Sequence, residues 1–204
     1  KDVCEPPTGK RGEVAPYFPL MSGPWIFGYG SLVWRPAFAH QRREPAYIDG
    51  FERRFWQASP LHRGTVERPG RVVTLLPNRS ARCWGMAYQV DASEAEEILT
   101  ALDHRERTGY DRVRTTLHVR GVGPIEDVLL YVASPENQNY IGPESHETTA
   151  AIISHAHGES GANREYLQKL AQGLDEMQVE DPHILALVSL LACTPEDEPP
   201  SRGP

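Results

Sequence analysis

The sequence has few cysteines, few lysines and no long apolar stretch. Its three cysteines, Cys4, Cys83 and Cys193, lie far apart and form no CxxC pair. That excludes a disulfide framework and a paired-cysteine zinc site, and it fits a reducing cytosol. No apolar run approaches the roughly 20 residues of a membrane-spanning helix. Residues 1–23 lack the apolar core of a signal peptide, so a cytoplasmic location is expected, although a first residue of Lys1 leaves open what precedes it. Lysine occurs only at Lys1, Lys10 and Lys169, and the formal net charge is -7. This balance argues against nucleic acid or an anionic membrane as the partner. The basic residues are therefore almost all arginine. Guanidinium forks suit carboxylates, and a genomic composition bias accounts for the excess equally well, so both explanations stay open.

Signatures of cofactor chemistry are missing too. The eight histidines show no HExxH or comparable ligand spacing, and His155 and His157, two apart near the end of an expected helix, diverge. Gly28-Tyr29-Gly30-Ser31 lacks the third glycine of a dinucleotide fingerprint, no Gly-Lys-Ser/Thr P-loop occurs, and no GxSxG elbow surrounds Ser31. No metal and no cofactor is expected.

A chain of 204 residues suits one domain. Residues 1–23 and 194–204 (TPEDEPPSRGP) are rich in proline, glycine and charge and read as a flexible and a disordered tail. The folded unit is then 24–193. Within it, 25–29 is a short buried strand running into a loop, and 45–57 contains a strand. Residues 71–76 and 83–90 read as a hairpin around Pro77-Asn78-Arg79-Ser80, and 112–119 with 127–133 as a second hairpin around 121–124. The run Arg53-Arg54-Phe55-Trp56 reads as a strand edge with structural arginines, and Cys83 as a core residue. Ser93 and Glu96 form a capping box for a helix, and further helices are expected over 146–157, 163–177 and 182–191. Strands with one inserted helix, then helices, predict an α+β domain with a mixed or antiparallel barrel-like sheet.

Two features carry chemistry. In the helix from Ser93, Ala95, Ile98, Leu99 and Leu102 define the buried stripe, and Glu106 falls on it four residues after Leu102. Desolvation there, and a helix end announced by Gly109, both raise a carboxylate's pKa. Glu106 is thus a candidate acid/base, with pairing to Arg105, Arg112 or Arg114 as the open alternative. The second feature is the Gly-Tyr-Gly-Ser loop. Its glycines permit unusual dihedrals and close ligand approach, and successive free amides there make an anion site. A tight turn without a ligand is the alternative.

Seven ordered blocks tie these features together. They are FGYGSLVW (27–34), RRFWQAS (53–59), HRG (62–64), PGRVVTL (69–75), CWGMAYQV (83–90), LDHRERTGY (102–110) and NYIGP (139–143). In this order the chain resembles the ChaC family of glutathione-specific γ-glutamylcyclotransferases. The resemblance implies a small mixed or antiparallel β-barrel with flanking helices. It implies cofactor-free conversion of glutathione into 5-oxoproline and cysteinylglycine, by a monomer or weak dimer acting on a small molecule. It assigns Glu106 as the catalytic residue, a substrate-binding loop of Ile26, Phe27, Gly28, Tyr29, Gly30, Ser31 and Leu32, and Tyr140 as a further substrate contact. Ser59-Pro60-Leu61-His62 departs from the family, which more often has Asp before the His, and the N-terminal stretch is longer than in compact members. Two neighbouring functions remain open: a cyclotransferase for γ-glutamyl amino acids or γ-glutamylamines, and a non-catalytic glutathione-binding module.

Overall fold

A computed structural model describes residues 23–106 and 109–193. The expected tails at 1–22 and 194–204 lie outside the described residues. Gly23, assigned to the tail from composition, is buried, and any Cβ on it would meet the Val90 carbonyl at 2.2 Å.

Besides a separate short antiparallel pair, His157–Gly158 with Gly161–Ala162, the strands are β1 (Trp25–Gly28), β2 (Arg42–Ser59), β3 (Gly70–Gln89), β4 (Asp111–Val119) and β5 (Gly123–Val132). Among the described residues they close a barrel in the order β1-β3-β2-β4-β5. Neighbours are antiparallel except β1 and β5, which meet in parallel at Ile26 and Leu129. The mixed barrel expected from the sequence is thus observed. Closure gives every barrel strand two neighbours, although the β2–β4 pairing is confined to Ala46–Val119 and Tyr47–His118 and the β1–β5 pairing to Ile26–Leu129.

The long β2–β3 pair corrects one expectation. Pro77 to Ser80 is no hairpin turn: β3 runs through it, paired with β2 on both sides. The register jumps between Asp49 and Phe51, where Gly50 takes a φ of 83°. Side chains alternate faces along a strand, so an irregular residue flips the inward set. Ala46 and Ile48 face the core before the jump; Arg53, Phe55, Gln57 and Ser59 are the buried residues after it. Pro77 sits opposite the jump, where its missing amide is tolerated. Arg53 is a structural arginine, as expected: its backbone pairs with Leu75 of β3, β4 meets β2 only at Ala46 and Tyr47, and its side chain is buried rather than set at the surface. The second hairpin is formed as expected by β4 and β5, with Gly121 and Gly123 at positive φ.

Helix α1 (Ala95–Arg105) buries Ile98 and Leu102. Ser93 does not cap it. Its amide and hydroxyl both bond to Asp91 Oδ1, at 2.8 and 2.6 Å, and the cap position is Glu94 without a side-chain bond. Asp91, two residues before Ser93, offers a nearer acceptor, so a local turn displaces the capping box. Helices α2 (His146–His155), α3 (Asn163–Glu176) and α4 (Pro182–Ala192) pack together beside the barrel. Buried Tyr166, Leu167, Leu170 and Leu174 form the inner stripe of α3. Within α3, a Cβ on Gly173 would lie 2.5 Å from Val33 Cγ1. The helix therefore presses on the segment that follows β1, and this positions the site.

Candidate active site

Strand β1 delivers the chain into the loop 29–30 and a 3-10 turn, Ser31–Val33. The loop is tied from three sides. Tyr29 donates its hydroxyl to the Tyr131 carbonyl at 2.7 Å, Tyr88 donates to the Leu32 carbonyl at 2.6 Å, and Arg43 donates to the Val33 carbonyl at 3.1 Å. The turn amides of Val33, Trp34 and Arg35 donate to the carbonyls of Gly30 and Ser31, whereas among the described residues those of Tyr29, Gly30, Ser31 and Leu32 make no turn bond of this kind. The glycines serve both purposes named in the sequence: neither has a positive φ, but Gly30 takes φ -118° and ψ -128°, outside the regions ordinary residues adopt, and both sit where a side chain would not fit. A Cβ on Gly28 would meet Leu32 Cβ at 2.3 Å, and one on Gly30 would meet the Tyr166 hydroxyl at 2.8 Å.

Glu106 ends α1. Its amide reaches back to the Leu102 carbonyl at 2.8 Å, and Tyr110 donates to the Glu106 carbonyl at 3.2 Å, with Gly109 at a φ of 99° between them. The carboxylate is mostly withdrawn from water, its side chain 19% exposed. Burial pushes its pKa above the ordinary glutamate value, and the neighbouring Arg105 guanidinium pulls it partly back. Arg105 Nε stands 3.4 Å from Glu106 Oε1 while Arg105 Nη2 donates to Ser31 Oγ at 2.7 Å. This arginine joins the acid to the loop 74 residues away. The sequence offered Arg105 only as one of three alternative ion-pair partners, because nothing local to it announces Ser31.

Three tyrosines complete the surround. Burial drives the Tyr29 and Tyr110 hydroxyls well above the usual phenol range, and Tyr166 up to about 12; the Glu106 charge pushes all three in the same direction. They stay protonated and act as fixed donors. No local pattern marks Tyr110 or Tyr166 in the sequence.

Two connected spaces meet at Glu106. A narrow cavity of about 60 Å³ is walled by Phe27, Gly28, Tyr29, Gly30, Ser31 and Leu32 on one side and by Glu106 with Tyr110, Tyr131 and Tyr166 on the other. A wider cleft of about 320 Å³ shares Ser31, Glu106, Tyr110 and Tyr166 and opens past Trp34, Arg35, Gln57, His62, Arg63, Arg105 and Asn139. Of the residues proposed from the sequence, the structure brings together Glu106 and the loop from Phe27 to Leu32. It does not bring in Ile26, whose side chain is fully buried in the barrel core, nor Tyr140, which is outside both walls while its neighbour Asn139 lines the cleft. Tyr140 instead bridges Gln57 and donates its amide to the Asn137 carbonyl at 2.9 Å. Among the described residues no three His, Cys, Asp or Glu side chains converge as a metal site would need.

The arrangement is a shielded carboxyl group facing a main-chain loop across a pocket, suited to moving a proton within a ligand held by its polar end. Comparison with known proteins places the chain in a family. A family model described as ChaC-like protein matches residues 24–193. The chain is 43% identical over 175 residues to glutathione-specific γ-glutamylcyclotransferase 1 of Danio rerio, covering 83% of this chain and 89% of that protein. It is 40% identical over 193 residues to the Homo sapiens protein of that name, with 90% and 86% covered. The fold matches a crystal structure of a γ-glutamyl cyclotransferase specific to glutathione from yeast, with a TM-score of 0.79 and 30% identity, covering 84% of this chain and 96% of that one.

Proposed function

We propose a specific activity from one premise: this chain belongs to the ChaC-like family and is an enzyme of the γ-glutamylcyclotransferase type. Its substrate is glutathione, which it converts to 5-oxoproline and cysteinylglycine. The observation that carries this reading is Glu106, desolvated and standing at the junction of the loop cavity and the wider cleft.

In the proposed reaction the substrate α-amine attacks its own γ-carbonyl carbon and closes a five-membered ring. Nucleophile and electrophile share one molecule, so holding it folded accounts for much of the rate. The γ-glutamyl part lies against the loop, with its α-carboxylate toward the amides of Tyr29 to Leu32. The Ser31–Arg105 pair adds a hydroxyl and a cation to that anion site. Glu106 takes a proton from the α-amine as the new C–N bond forms. It returns a proton to the leaving amide nitrogen as the old C–N bond breaks. A carboxyl with a raised pKa suits both halves, since it holds a proton more readily than an exposed glutamate near neutrality. The tyrosine hydroxyls stay neutral and keep the cavity polar without competing for the proton.

The test is incubation of the full chain with glutathione and detection of both products by mass spectrometry. A γ-glutamyl amino acid and a γ-glutamylamine are run beside it. Equal or greater turnover of either would replace glutathione as the substrate. Binding of glutathione with no 5-oxoproline from any of the three would leave a binding module.

A further inference from the structure

The wider cleft has a charge pattern that the mechanism uses only in part. Three arginines, Arg35, Arg63 and Arg105, face it against one carboxylate, Glu106. Two of the cations are committed. Arg63 donates to the Ala162 carbonyl at 2.9 Å, pairs with Glu165 at 3.3 Å and lies 5.5 Å over the Tyr166 ring. Arg105 is held by Ser31 and Glu106. Arg35 makes no side-chain hydrogen bond or ion pair among the described residues.

Its main chain is nevertheless fixed. The Arg35 amide donates to the Ser31 carbonyl at 2.9 Å. Pro36 restricts the Arg35 backbone from the other side, and Ala37 turns the chain away at a φ of 57°. A free guanidinium therefore springs from a fixed point on the rim.

Position sets its role. Glu106, Ser31, Tyr110 and Tyr166 line both spaces, so the bond being broken lies at their junction. The γ-glutamyl end occupies the loop side. Arg35 borders only the wider cleft, where the leaving group must extend. Glutathione carries two carboxylates, and the loop accounts for one.

We propose that Arg35 is the specificity-determining cation for the carboxylate at the far end of the substrate. The site then selects γ-glutamyl compounds whose leaving amine is itself acidic, and disfavours γ-glutamylamines. This rests on the glutathione reading given above. A guanidinium meets a carboxylate with two parallel hydrogen bonds, which suits a partly enclosed cleft.

The experiment compares the full native chain and Arg35→Gln on two substrates: glutathione, and its analogue with the glycine carboxylate replaced by a carboxamide. Arg35 is exposed, so the variant keeps the fold. The proposal expects the native protein to show a KM about tenfold higher for the carboxamide than for glutathione. Arg35→Gln raises KM for glutathione by about the same factor with kcat within about twofold, adds little on the carboxamide, and Arg35→Lys recovers part of the loss. Equal KM increases on both substrates would place Arg35 on the α-carboxylate or on general electrostatics and overturn the assignment, as would no change on either. A native protein that forms no 5-oxoproline from glutathione overturns the function reading itself. Turnover of glutathione with no selective loss overturns only the role of Arg35.

Discussion

Two charged side chains lie deep against this barrel, and their surroundings treat them in opposite ways. Arg53, 2% exposed, pairs with Asp181 at 3.0 Å, donates to Cys83 Sγ at 3.4 Å and also bonds the Trp84 carbonyl. Glu106 has one cation 3.4 Å away and a wall of protonated tyrosines. The first charge is wired into the fold: Asp181 also accepts from the amides of His183 and Ile184 and so caps α4. The second is left short of partners beside a cavity. A well-compensated buried charge locks structure, whereas an under-compensated one is available for proton transfer.

That contrast can be broken at either end. The largest effect is expected at Arg53. Arg53→Met leaves Asp181 and the Trp84 carbonyl without their partner, and unfolding in denaturant should show a loss of about 3–5 kcal/mol. A loss under about 1 kcal/mol would mean that Arg53 is no anchor. Glu106→Gln is expected to lower kcat roughly 10²-fold or more with KM little changed. Stability should respond the other way. Burial raises the Glu106 pKa, so its ionised form opposes folding at pH values above that raised pKa, and a neutral amide removes the opposition. The glutamine variant should be at least as stable as the native chain near pH 7. A marked fall in Tm would assign Glu106 to structure.

A third effect, in between, comes from His183, whose pKa is lowered to about 4, first by burial and then by nearby Arg54. The Phe55 amide donates to His183 Nε2 at 3.0 Å, so the ring proton sits on Nδ1, facing His146 Nε2 at 2.9 Å. Protonating Nε2 would set two donors against each other. Native stability contributed by this group is complete above about pH 6.5 and drains away as the pH falls toward 4, by on the order of 3 kcal/mol. Denaturation midpoints across that range should show the slope, and His183→Gln should flatten it. The smallest change is expected for Arg105→Gln. Its guanidinium lowers the Glu106 pKa, so its loss should move the acid limb of the kcat–pH profile upward, and an unmoved limb would detach Arg105 from the acid.

Much of this molecule is legible in one dimension where the signal is local. The buried stripe of α1 and Gly109 after it placed Glu106, and the apolar run 25–28 followed by Gly-Tyr-Gly placed the loop. Failures came where a competing partner, distant or local, outbid the pattern. Pro-Asn-Arg-Ser reads as a turn, yet its strand pairs with β2 across a register jump. Ser93 and Glu96 read as a cap, yet Asp91 takes the serine. Arg53 reads as a strand-edge charge, and its burial becomes apparent only when α4 brings Asp181 to it from 128 positions away.

The order of the elements, the carboxyl on an apolar helix face and the glycines of the loop are settled by the chain itself, because periodicity and backbone freedom act over a few residues. Tertiary structure alone decided that Arg105 would bridge Ser31 and Glu106, that Tyr110 and Tyr166 would wall the pocket, and that Arg35 would stand on the open side of it. Those relations depend on closing the barrel and seating α3, steps that bring together groups separated by tens of residues, and no local spacing encodes such a distance.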